Sequence, residues 1–233
     1  MVVGLAGSLL PAILFPAAEQ VVPTAVAGVL NALTPIFTII IAALFFKTRF
    51  PLIKILGIVV GLGGTVVLMT AGGVKLTTGE DVELGVYIQF CGYIVLATLF
   101  YALSVNISKT YFQDLHAIGI TAVSLCSMAI PSLGYLFANG HFLETMQTSS
   151  TAWESFIYVA LLGAIGTAFA LILFYKLPQI SNLIIASSVT YTIPIVAVLW
   201  GVFYLHESLN WQHFLGFAII LAGVWVVNMK GKS

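Results

Sequence analysis

Charge is what this sequence has least of. Eight Lys and Arg and eight Asp and Glu make up 7% of 233 residues, where a soluble domain carries roughly a quarter charged residues. So few charges cannot cover a water-facing surface, which excludes a soluble globular fold. There is no basic block and the formal net charge is zero, so nucleic-acid binding has no electrostatic basis. Cysteine is equally scarce. Cys91 and Cys126 both sit inside apolar runs, which excludes a disulfide framework and leaves two small packing residues. His116, His141 and His213 lie near span ends with no ligand spacing between them, so no metal site is expected. Gly61, Leu62, Gly63 and Gly64 lie within an apolar run without a preceding strand, which excludes a dinucleotide loop. No nucleophile with its base, paired carboxylates or ATP-driven motor is present, so neither enzyme chemistry nor a cofactor is expected.

Apolar residues are abundant, at 61% with a mean hydropathy of +1.12. They run long enough to cross roughly 30 Å of hydrocarbon at 1.5 Å per residue. Eight spans, A to H, are expected over residues 1–18, 22–46, 52–71, 85–107, 116–138, 154–175, 180–205 and 212–229. The runs are continuous and do not alternate, so they predict an all-α membrane helix bundle and not a barrel. Glu19 and Gln20 stand where a signal peptide would need small residues. If the spans alternate, Lys47, Arg49, Lys54, Lys109, Lys176, Lys230 and Lys232 share one side and Lys75 takes the other. The positive-inside rule makes the crowded side cytoplasmic, with both termini there. Asn106, Ile107 and Ser108 form a glycosylation sequon, but near that cytoplasmic side it should remain unused.

The chain also matches itself. At an offset of 159, Gly4 and Gly7 meet Gly163 and Gly166, Gln20 meets Gln179, Pro35 meets Pro194, Gly57 meets Gly216, and Gly64 meets Gly223. Spans A, B and C thereby pair with F, G and H, each pair running in opposite directions. Inverted repeats of this kind are a recurring design of secondary transporters. Spans D and E have no counterpart ahead of A. The arithmetic suggests five plus five spans, with the first two absent from this chain; a genuinely eight-span protein is the alternative.

Several residues suit a transport cavity. Asn31, Thr34, Pro35 and Thr38 share a face of span B. Pro35 removes a backbone hydrogen bond there, and Pro194 does so in span G beside Ser187, Ser188 and Tyr191. Both prolines are candidate kinks or gates. Gln89, Tyr93, Tyr101 and Ser104 line span D, and Thr167 lies on the small-residue face of span F. Thr121, Ser124 and Ser127 form a stripe that reads first as helix packing. Glu19 and Glu207, at outer helix ends, are candidate coupling or interfacial acids, with a cap or lid the simpler role for Glu207.

Two stretches carry a family resemblance. EQVVPTAVAGVLNALTPIFT, from Glu19 to Thr38, and ASSVTYTIPIVAVLWGVFYLHESL, flanked by GAIGTAFA and GFAIILAG, resemble the EamA family of the drug/metabolite transporter superfamily. The resemblance implies ten helices in two inverted EamA repeats: here a partial first repeat over 1–72 and a second over 85–230. It further implies movement of small metabolites or drugs, as efflux, across the plasma membrane, a bacterial inner membrane by that likeness. The family commonly has an acid after its fourth and ninth helices; Glu207 fits the second position, and Thr48 replaces the first. The expected partners are a small-molecule substrate and the lipid bilayer, with a second copy or the missing N-terminal segment completing the bundle. A truncated, transport-inactive membrane scaffold is the competing expectation.

Overall fold

A backbone crossing hydrocarbon finds no water to bond and must pair its own N–H and C=O groups, so continuous apolar runs coil into helices. The computed structural model describes residues 2–47, 50–71, 82–111, 117–138, 141–169 and 183–229. The helices are α1 (Val2–Glu19), α2 (Thr24–Asn31), α3 (Thr34–Phe45), α4 (Leu52–Thr70), α5 (Leu84–Tyr111), α6 (Ala117–Ala138), α7 (His141–Thr148), α8 (Ala152–Leu161), α9 (Leu183–Phe203) and α10 (Trp211–Asn228). Among the described residues, five helical stretches are long and apolar enough to cross a membrane: α1, Thr24–Phe45, α4, Leu84–Ile107 within α5, and α10. Spans E, F and G correspond to the shorter apolar stretches Met128–Ala138, Ala152–Thr167 and Thr192–Phe203. Span B, expected as one helix, is divided into α2 and α3.

Residues 2–113 and 189–233 form one compact unit. Its core is α2 and α3, where Val26, Val29, Leu30, Leu33 and Ile36 are fully buried. Around them pack Ile94 of α5 and Ile220, Val224 and Val227 of α10. α4 and α10 pack closely against each other through their glycines. On α4, Gly57, Gly61, Gly64 and Leu68 are buried while Leu56, Val59 and Val66 are exposed. Small residues inward and large apolar ones outward are the pattern of helices packing within lipid. A Cβ placed on Gly57 would lie 2.8 Å from Val227 Cγ2, and one on Gly216 would lie 2.9 Å from Leu68 Cβ. One on Gly64 would lie 2.7 Å from Ile220 N, and one on Gly223 would strike the Gly61 backbone. Position rises on one helix as it falls on the other, so the pair is antiparallel. Adding 159 to the α4 residue and subtracting it from the α10 residue turns each contact into another of the set.

The same offset relates two other backbone features. Leu5–Leu9 in α1 and Leu162–Phe169 after α8 are both π-helical, a wider coil that is rare elsewhere and common at functional sites. In the first, Leu10 N–H donates to Leu5 O, and Pro11, next along, has no N–H to continue the tighter register. Lys47 and His206 are the two non-glycine residues with positive φ among those described, at 51° and 54°. Each ends a helix in a left-handed turn.

Residues 114–188 form the second unit. The segment from His141 to Thr148, between the expected spans E and F, is helical. Ring contacts link α6, α7 and α8: Phe137 to Phe142 at 5.8 Å, Phe142 to Phe156 at 6.3 Å, and Trp153 to Phe156 at 6.1 Å.

Candidate functional site

The break between α2 and α3 follows from one missing donor. Pro35 has no N–H, so the carbonyl one turn earlier, Asn31 O, loses its helical partner. Thr34 Oγ1 donates to it at 2.8 Å and stands 3.5 Å from Asn31 Oδ1. Ala32 and Leu33 close tighter turns onto Val29 O and Leu30 O, each at 3.0 Å, and α3 starts with Pro35 in its first turn. The polar line then continues along the helix. Thr38 Oγ1 donates to Thr34 O at 2.8 Å, and Asn106 Nδ2 of α5 donates to Thr38 O at 3.0 Å and to Ala102 O at 2.9 Å. A step of amide, hydroxyl and carbonyl groups thus lies within an apolar core.

The other expected site residues are more scattered. Gln89 Nε2 donates to Tyr93 OH at 3.0 Å on the flank of α5. Tyr101 is half-buried, with its ring 6.2 Å from that of Phe15 in α1. Ser104 Oγ donates to Val3 O at 3.1 Å and lies against Gly7, so it serves helix contact. Thr167 is exposed in the second π-helical segment. Pro194 is buried within α9, which is unbroken around it. The side chains of Ser187, Ser188 and Tyr191, like those of Thr121, Ser124 and Ser127, lie outside the described residues, as do His116, Thr48 and Arg49. An open apolar groove of about 380 Å³ on α9, lined by Val196, Leu199, Trp200, Phe203 and Tyr204, includes none of the expected substrate residues.

Glu207 is drawn into the backbone of α2. Its carboxylate accepts from Thr24 N–H at 2.6 Å and Ala25 N–H at 3.0 Å, filling two donors that a helix start leaves open and meeting the positive end of its dipole. The left-handed turn at His206 makes this reach possible, closed by Glu207 N–H donating to Gly201 O at 2.9 Å. The carboxylate lies directly on Gly201, where any side chain would collide with it. Glu19 is exposed at the end of α1.

Three structural roles were missed in the sequence. Asn106 reads there as part of a sequon, yet it is buried and bonded to two carbonyls; an amide inside the apolar span 85–107 was the available signal. Asn210 caps α10: its Oδ1 accepts from His213 N–H at 3.2 Å, and Asn210 Nδ2 donates to Ala71 O at 3.3 Å. His213 is fully buried, with Nε2 3.5 Å from Tyr87 OH. Asn three residues before His at the head of an apolar run is the sequence trace of that cap.

These helices, apolar outside and small within, define a multi-pass helical membrane protein. Its particular family is also shown: the chain belongs to the EamA-like transporter family, whose model matches residues 1–70 and 90–229. Over 212 residues it is 23% identical to an uncharacterized transporter of Archaeoglobus fulgidus, covering 91% of this chain and 70% of that protein. A crystal structure of a protein 19% identical in sequence shares the fold with a TM-score of 0.54, over 97% of this chain and 75% of the other.

Proposed function

We propose that this membrane transporter is a secondary carrier or facilitator that exports small organic metabolites or drugs across the plasma membrane by alternating access. The observation that carries the reading is the break between α2 and α3. Discontinuous helices near the bilayer midplane are where such carriers bind substrate, because unwound backbone offers polar groups to a ligand. Here the break offers the Asn31 amide and the Thr34 hydroxyl, both half-buried. By the sequence reading, Gln89, Tyr93, Tyr101, Thr167, Ser187, Ser188 and Tyr191 are the further proposed substrate residues, and Pro35 and Pro194 the proposed kinks or gates. The two-copy organisation, over 1–72 and 85–230, and cytoplasmic termini belong to the same reading. The step provides no fixed charge, which favours neutral or zwitterionic solutes over dianions.

The test is substrate exchange in proteoliposomes against a metabolite panel. Saturable flux that falls at least tenfold in Asn31→Ala, or in Thr34→Val, is the expected result. A folded protein with no flux across the panel would favour the membrane-scaffold reading.

A further inference from the structure

Resting on the transport reading, we infer that Glu207 is a one-sided latch that holds the protein closed at its outer end and sets the direction from which substrate first enters. The two central helices meet there through their smallest residues. Gly28 of α2 lies directly on Ala197 of α9, and a Cβ on Gly201 would stand 3.0 Å from Ala25 Cβ. Over this seam the Glu207 carboxylate takes the Thr24 and Ala25 N–H groups, so the end of α9 and the start of α2 are fastened by two charge-assisted hydrogen bonds.

The offset of 159 gives the sequence counterparts of these residues in the other copy. Lys47 repeats the left-handed turn of His206, but the next residue is Thr48 where the other copy has Glu207. Ser187 and Thr38 stand in the positions of Gly28 and Ala197, and Ile184 and Ala42 in those of Ala25 and Gly201. The latched end therefore has glycine, alanine and a carboxylate, whereas the related positions have bulkier side chains and no acid. Two states that exchange by swapping the conformations of the copies are then unequal in free energy. The state closed at the Glu207 end is favoured, and the polar step opens first toward the lysine-rich side, as export requires.

The latch is also connected to the step. Helix α2 has Thr24 at one end and Asn31 at the other, a stiff rod of about 12 Å. A solute seated at Asn31 moves the same helix whose other end Glu207 holds, so occupancy can release the latch.

Cysteine accessibility in membrane vesicles tests this without any substrate. In a chain with Cys91→Ala and Cys126→Ser, Asn31→Cys reports water access to the step through an impermeant maleimide applied to either face. Glu207→Ala should raise the labelling rate from the Glu207 face roughly tenfold, the scale of losing a helix cap. Thr48→Glu, which removes no contact of Glu207, should also raise labelling from the Glu207 face several-fold, by favouring closure at the lysine-rich end, and decides the matter if Glu207→Ala does not fold. Unchanged rates in Thr48→Glu and in any folded Glu207→Ala would overturn the latch, and flux by the same proteins with Asn31 kept would leave the transport reading standing. Failure of Asn31→Cys to label from either face, in vesicles where a Ser149→Cys loop control labels, would overturn both.

Discussion

At the scale of single residues, polar side chains in this protein mostly occupy the backbone. Thr65 donates to Gly61 O at 2.9 Å and Thr98 to Val95 O at 2.7 Å, and among the described residues no buried side-chain polar atom lacks a partner. Asn106 ties α5 to α3, and Asn106→Leu leaves Thr38 O and Ala102 O without their side-chain donor. Thermal unfolding in detergent should show a loss of about 1–2 kcal/mol. Expression in glycosylating membranes, followed by glycosidase treatment, should show no mass shift, because the amide nitrogen a glycan would need is buried and bonded. Replacing His206 by Gly should instead stabilise the fold by up to about 1 kcal/mol, since a β-carbon is strained at its φ of 54°. The same unfolding assay reads that gain. The spacing of Asn31, Thr34 and Thr38 was legible in the sequence because periodicity alone places them on one face. The role of Asn106 was hidden, because the carbonyl it bonds belongs to a helix far away along the chain.

At the scale of elements, the two related prolines have different consequences. Pro35 sits at a break and Pro194 inside an unbroken helix, although the offset makes them equivalent. The physical difference lies one residue earlier. Thr34 supplies a hydroxyl to the carbonyl that Pro35 releases, whereas Ile193, its counterpart, has none to supply. Sequence showed the proline pair at once, yet whether a helix parts at a proline depends on which neighbour can satisfy the freed group. Pro35→Ala returns an N–H to Asn31 O and should let α2 and α3 join. The expected outcome is unchanged or higher thermal stability with at least tenfold lower flux. Equal loss of both would instead mean that the break is needed for folding.

At the scale of the whole molecule, the glycines of α4 and α10 were visible in the sequence as matched pairs, but their contact was not, because composition cannot say which small faces meet. The contact makes its own prediction. Gly223→Ala drives a methyl into the Gly61 backbone, while Gly63→Ala meets nothing within 4 Å. The first should sharply reduce the yield of folded protein and cost about 1–3 kcal/mol or more; the second should be neutral by the same unfolding assay. The seam between these helices also has a property that Glu207 lacks. Exchanging the roles of the two copies maps its contacts onto themselves, so it has no inward and no outward version. On the proposed alternating-access reading it is the axle: the part that both states would share and that neither would break. A covalent tie placed across it should leave turnover running, whereas a tie between the ends of α2 and α9 should stop the cycle in one state.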